Sequence, residues 1–241
     1  QLRIRGIQTG LIEVEGETRT NSNIIDTSNS LETEVLEPGP VVTTAYMDEF
    51  LHIFEKSLNT ASVLVCSGGI PEGIQADFYR VLIDKANALG VRTILDTSND
   101  ALLEGVKSRP FMIKPNVREL CRLVGKELNS LHEIVDACHE VLNYGIDVIT
   151  ASMGEKGAIL VTKDLTLRAY SPDIAIQNSI GSGDSMVAGM AAGLLQHGSL
   201  EEMLRLGMAC AAANTQFREV GMVSMELVDT YKKLIRIENI L

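Results

Sequence analysis

The residues best suited to chemistry lie late in the chain, in the run Asn178-Ser179-Ile180-Gly181-Ser182-Gly183-Asp184-Ser185. Gly181 and Gly183 flank Ser182, so the backbone can turn tightly there and aim several amide groups at one point. The stretch that follows, Met186 to Gly193, is rich in small residues and reads as a helix, whose N-terminal dipole adds positive potential. Such a turn is an anion hole. Asp184, in the first helical turn, is placed to accept the proton of a hydroxyl attacking a phosphoryl group. A helix N-cap after a Gly-rich loop has the same pattern, so the run alone leaves both roles open. It is not a Walker A loop, which needs GxxxxGK[ST], and Met186 stands where a dinucleotide fingerprint needs its third glycine.

Other segments carry weaker signals. In Lys114-Pro115-Asn116, followed by Glu119, the proline ends a strand, Asn116 caps the next helix and Glu119 lies one turn on, so amide and carboxylate share a face. A capping box has the same spelling. Ser152-Met153-Gly154-Glu155-Lys156-Gly157 follows an apolar strand and suits either a hairpin turn or a ligand loop. Ser67-Gly68-Gly69-Ile70-Pro71-Glu72-Gly73 follows another, with glycines that allow close backbone approach. Arg19, in Glu17-Thr18-Arg19-Thr20-Asn21, offers a planar fork of donors suited to phosphate, though a lone Arg on a strand is commonly just solvated.

These residues need elements to position them. Leu11 to Val14, Arg19 to Ile25 and Glu32 to Leu36 read as short polar strands of a sheet with one exposed face, closed by Glu37-Pro38-Gly39-Pro40. Beyond residue 43 helices alternate with apolar strands: helix 46–58, strand 62–66, helix 76–89, strand 91–95, strand 111–114, helices 117–124 and 131–143, and strand 147–151. A hairpin over 158–170 and two Ala- and Met-rich helices, 183–196 and 200–216, follow. The order predicts an α/β fold, a mostly parallel sheet flanked by helices with a small β lid, divided as 1–36 and 37–241. In such sheets ligands bind beyond the carboxyl ends of the strands, which directs attention to the loops after residues 66, 95, 114 and 151.

The bulk properties are those of a globular protein with a packed core. The 241 residues are 45% hydrophobic and 22% charged, enough for a sizeable core. A net charge of -11 with no basic run argues against nucleic acid and anionic membranes. Cys66, Cys121, Cys138 and Cys210 are scattered singly, without zinc or disulfide spacing, and no apolar run suggests a signal peptide or a membrane span. A cytoplasmic location is expected.

The Asn178 to Ser185 run resembles the C-terminal motif of PfkB-type, ribokinase-like carbohydrate kinases, in which Gly-Ala-Gly-Asp is usual and Ser182 here replaces the Ala. The other segments follow in that family's order. The resemblance implies that Asp184 is the catalytic base and that the amides of Gly181, Ser182 and Gly183 hold the moving phosphoryl group. It implies ATP and Mg2+ as cofactors, with Lys114, Asn116, Ser152, Gly154, Gly157 and Asn214 toward the nucleotide and Glu119 and Asn116 toward magnesium. Arg19, Asn21, Gly68 and Gly69 fall to a sugar phosphate, and the lid strands to pairing in a homodimer.

The implied reaction is phosphorylation of a ketohexose phosphate: tagatose 6-phosphate, fructose 6-phosphate or fructose 1-phosphate. The run from Thr33 through Glu34 to Pro40 resembles the tagatose-6-phosphate kinase branch. The family's N-terminal part, with its first strand, a sugar-binding Asp and a Gly-Gly-x-Gly motif, has no counterpart, so residue 1 is expected to enter the fold just before the lid. That departure leaves a second expectation, a non-catalytic protein that binds a nucleotide or sugar phosphate.

Overall fold

The structure, a computed structural model, describes residues 2–26, 29, 31–196 and 198–240, and the side chains of 23, 25, 26, 31, 32 and 34 lie outside what it describes. The expectation attached to the Glu34 side chain therefore falls outside the described residues. Two compact units are present, one made of Gln1–Thr60 with Ile70–Ala76 and the other of Ala61–Gly69 with Asp77–Leu241. The division thus falls after a helix, beyond the expected boundary at residue 36.

In the first unit β1 (Asn21–Asp26) and β2 (Leu31–Leu36) form an antiparallel hairpin, Asn21 opposite Leu36 and Asp26 opposite Leu31. Helix α1 spans Thr44–Leu58. Leu11 to Val14, expected as a strand, is irregular chain. Nearby Gly10 passes so close to α1 that a Cβ there would stand 2.6 Å from Ile53 Cγ2. The first lid strand begins at Asn21 and not at Arg19, because the Thr20 amide donates to Glu37 Oε2 at 2.9 Å instead of joining the ladder. Val42 N–H donates to the Glu72 carbonyl at 2.8 Å, tying residues 70–76 to this unit.

The second unit holds a seven-stranded sheet: β3 (Val63–Ser67), β4 (Arg92–Asp96), β5 (Met112–Ile113), β6 (Val148–Ser152), β7 (Ala158–Val161), β8 (Thr166–Ala169) and β9 (Ile237–Asn239). Spatial order follows chain order. Strands β3 to β6 pair in parallel and β6 to β9 antiparallel, so the sheet is mixed, with β8 rejoining the direction of the parallel four. The remaining helices are α2 (Phe78–Ala88), α3 (Asn99–Gly105), α4 (Val117–Val124), α5 (Leu131–Leu142), α6 (Ser182–Leu195), α7 (Leu200–Asn214) and α8 (Met225–Leu234).

Ile94, Leu95, Ile113 and Ile149 are fully buried, as central parallel strands covered on both faces require. On one face Ala158, Leu160, Leu167 and Ala169 pack with Met186, Met190, Leu204 and Val228. Helices α6 and α7 approach through glycine: a Cβ on Gly189 would stand 2.7 Å from the Leu206 carbonyl oxygen, and one on Gly193 2.9 Å from Met203 Cα. This clamp fixes the helix whose first turn carries Asp184. No helix among the described residues is long and apolar enough to cross a membrane.

Candidate active site

The parallel strands end together, and their ends supply Ser67, Asp96, Lys114 and Ser152. Gly181, with φ 78° and ψ 0°, turns the chain into α6. Its left-handed conformation suits glycine, and a Cβ would stand 3.0 Å from Val220 Cγ1. Asn214 holds this turn from behind: it is 1% exposed, its Nδ2 donates to the Ile180 carbonyl at 2.8 Å, and its Oδ1 accepts from the Gly221 amide at 3.0 Å. Asn214, expected toward the nucleotide, is buried here with its amide bracing the loop.

The first turn of a helix leaves amides without partners. Here the Ser182 amide is satisfied by the Ser179 carbonyl at 3.2 Å, which removes it from the expected hole. The amides of Gly181, Gly183 and Asp184 have no acceptor among the described residues. The partnerless amides of the turn thus differ from the expected set of Gly181, Ser182 and Gly183 by one residue. Asp184 is exposed, and its Oδ1 accepts from Ser67 Oγ at 3.3 Å.

Beside the turn lies the ammonium of Lys114, 3.7 Å from where a Cβ on Gly183 would stand. A methyl at 183 would make ordinary contact with that lysine. Lys114 Nζ meets Asp96 Oδ1 at 3.0 Å, with side chains 7% and 14% exposed. Burial pushes the Asp96 carboxyl above its ordinary value against the pull of Lys114, and the charges of Asp184 and Glu119 push it the same way. Asp96 therefore feels one buried cation and two further carboxylates.

Asp96 escaped the sequence reading. Its signal was a lone carboxylate closing the otherwise apolar end of Arg92–Asp96. Ser67 was read only as the first residue of a glycine loop. In that loop the Gly68 carbonyl accepts from Thr97 Oγ1 at 2.7 Å and from the Tyr79 hydroxyl at 3.2 Å. Burial, with smaller contributions from Cys66 and Asp96, pushes the Tyr79 phenol up to about 12, so it remains a donor. Cβ positions on Gly68 and Gly69 face open space.

Asn116 and Glu119 form a complete capping box on α4: Glu119 N–H donates to Asn116 Oδ1, and Asn116 N–H to Glu119 Oε2, each at 2.9 Å. Glu119 Oε1 has no hydrogen-bond partner among the described residues. Among the described residues no cluster of His, Cys, Asp and Glu could hold a metal by itself. Asn116, Ser152 and Gly154 line a cavity of about 620 Å³. Gly157, with φ 90° and ψ -137°, serves the turn, since a Cβ there would overlap the Ala169 carbonyl. Arg19 and Asn21 are exposed in the first unit, Arg19 without a carboxylate partner among the described residues.

Residues 1–224 match the family model for pfkB family carbohydrate kinases. The chain belongs to that family. Phosphofructokinase-2 from Escherichia coli, in complex with potassium, aligns with a TM-score of 0.86 at 29% identity, over 96% of this chain and 75% of that one. The same enzyme in complex with fructose-6-phosphate gives 0.84 at 29% identity, over 97% and 76%. A Thermotoga maritima protein described as a possible 1-phosphofructokinase gives 0.88 at 28% identity, over 100% and 77%. The expected ribokinase-like architecture and the carbohydrate kinase family are thus both found.

Proposed function

We propose that this family member transfers the γ-phosphoryl group of ATP to a hydroxyl of a ketohexose phosphate, giving a bisphosphate and ADP. The observation that carries the reading is the juxtaposition at the start of α6: free Gly183 and Asp184 amides, the buried Lys114 ammonium beside them, and an exposed carboxylate on the same turn. This donor set fits a polyphosphate. The acceptor oxygen bonds to phosphorus as the bond to the β-phosphate oxygen breaks, Asp184 takes the hydroxyl proton, and ADP leaves. Ser67 orients the Asp184 carboxylate, and Lys114, held by Asp96, meets charge on the phosphates.

Glu119, positioned by Asn116, would hold Mg2+ through water, and the ion would neutralise phosphate charge. Ser152 and Gly154 belong to the nucleotide side in this reading, Gly68 and Gly69 to the sugar. Arg19 and Asn21 are assigned to the sugar phosphate on their motif alone. Fructose 6-phosphate is favoured as acceptor by the fructose-6-phosphate complex of the Escherichia coli relative, with fructose 1-phosphate and tagatose 6-phosphate next. Pairing of lid hairpins between two copies is supported by Ile24 and Val35, 60% and 48% exposed on one face of the hairpin.

The test is Asp184→Asn in a coupled ADP-release assay with the three sugar phosphates. Loss of a general base costs about 10²- to 10⁴-fold, so kcat should fall by that much while ATP binding by calorimetry is kept. A kcat within a few fold of the parent would refute the assignment.

A further inference from the structure

Arg168 is out of place in a chain of net charge -11. It lies on β8, and its neighbours Leu167 and Ala169 turn into the core under α6, α7 and α8. Its own side chain therefore leaves the sheet on the opposite face. There the guanidinium stands 4.5 Å from the centre of the Tyr170 ring, while Arg236 occupies that ring at 4.0 Å. Tyr170 gives its hydroxyl to Glu238 at 2.8 Å, and Arg236 Nε stands 3.5 Å from the same carboxylate. Glu238 is thus engaged by other groups although it pairs with Arg168 across the strands. Among the described residues Arg168 has no hydrogen-bond acceptor and no carboxylate within 4.0 Å, and its Nε is buried without a partner.

A buried donor without an acceptor is costly and is ordinarily met by a water or an ion. Arg168 lines the cavity of about 620 Å³ that also borders Asn116, Ser130, Ser152, Gly154 and Lys156. Lys156 is exposed and likewise has no carboxylate partner among the described residues. The cavity wall contains two cations and no carboxylate. The Ser130 hydroxyl accepts from the Glu133 amide, and Glu133 Oε2 takes the Asn129 and Ser130 amides, so these backbone donors are already satisfied. What is left over is positive charge on side chains.

We propose that this cavity is an anion site for a phosphate-bearing small molecule, with Arg168 and Lys156 as its charged contacts. The Arg168 fork suits two phosphate oxygens, and the Ser152 hydroxyl is a further donor. The anion comes from one of two sources, the nucleotide of the reaction or a separate phosphorylated effector. The first deepens the kinase reading through Asn116, Ser152 and Gly154 and rests on it; the second stands without it.

The experiment is calorimetric titration of the whole chain with inorganic pyrophosphate, comparing the parent with Arg168→Gln and Lys156→Gln, and with thermal melting as a control for folding. Pyrophosphate should bind the parent, and each variant should weaken it about tenfold, the effect of losing one charge-assisted contact. Lys156 is exposed, so its variant decides the matter even where Arg168→Gln fails to fold. If ATP KM rises in the variants with kcat unchanged, the anion is the nucleotide. If ATP KM stays constant while pyrophosphate binding is lost, it is an effector. Parent binding that neither variant weakens places pyrophosphate elsewhere, for instance on the α6 turn, and overturns the proposal, as does absence of binding at millimolar concentration. Because the readout is binding, failure of turnover in the Asp184 test leaves this result interpretable by itself.

Discussion

Replacing Lys114 by Met should unmask the charge on Asp96, and the effect can be sized from the pair itself. At 3.0 Å and an effective dielectric constant near 20, the Coulomb attraction is about 5 kcal/mol, part of which offsets the desolvation of two groups only 7% and 14% exposed. Removing one partner leaves the other buried and uncompensated, which costs about 3–5 kcal/mol. Against a typical domain stability of about 5–15 kcal/mol, that is a large fraction.

The loss must also depend on pH. The Asp96 carboxyl already sits above its ordinary value in the folded chain, and without Lys114 it rises further. A folded carboxyl with a raised value binds its proton more tightly than the unfolded one. Its penalty is therefore absent below the ordinary carboxyl range and grows as pH rises through the raised value, at about 1.4 kcal/mol per pH unit in that window. Urea denaturation of the parent and Lys114→Met at pH 5 and pH 8 should show the larger deficit at pH 8. Lys114→Met combined with Asp96→Asn should recover about 2 kcal/mol or more. A deficit equal at both pH values and unrelieved by the second substitution would refute the reasoning.

Asn214→Ala removes both hydrogen bonds behind the α6 turn and leaves the Gly221 amide without its partner; a stability loss of about 2–4 kcal/mol and a fall in kcat are expected, read by denaturation and by ADP release. If Asn214 instead met the nucleotide, ATP KM would rise with stability unchanged. Gly157→Ala forces a methyl against the Ala169 carbonyl in a backbone region reserved for glycine and should cost about 2 kcal/mol or more by thermal melting, whether or not nucleotide is present.

The alternation of apolar strands and amphipathic helices made the second unit legible, because strands buried on both faces have little choice of residue: Ile94, Leu95, Ile113 and Ile149 declare their role. Helix α8 and strand β9 were not foreseen, since Met225–Leu234 is largely charged on its outer face and Ile237–Asn239 is too short for a period. The missing strand at 11–14 shows the reverse error, an alternation with no ladder partner among the described residues. At the site, Gly181, Gly183 and Asp184 were visible because a tight turn restricts residue type. The roles of Ser182 and Asn214 were not, because hydrogen-bond direction is invisible in a sequence: the same Asn spells ligand contact or internal brace. Asp96 and Arg168 depend on partners distant in the chain, and only the fold brings those together.

The agreement between spatial and chain order across the sheet has a consequence for synthesis. A chain leaving the ribosome can lay each strand from β3 to β8 against the one just placed, so growth proceeds along one advancing edge with short-range searches. Only β9 breaks the rhythm. It reaches β8 only after three helices have been made, the first of which opens at the Gly181 turn. The sheet is thereby completed last, after the turn that carries Asp184 has been made.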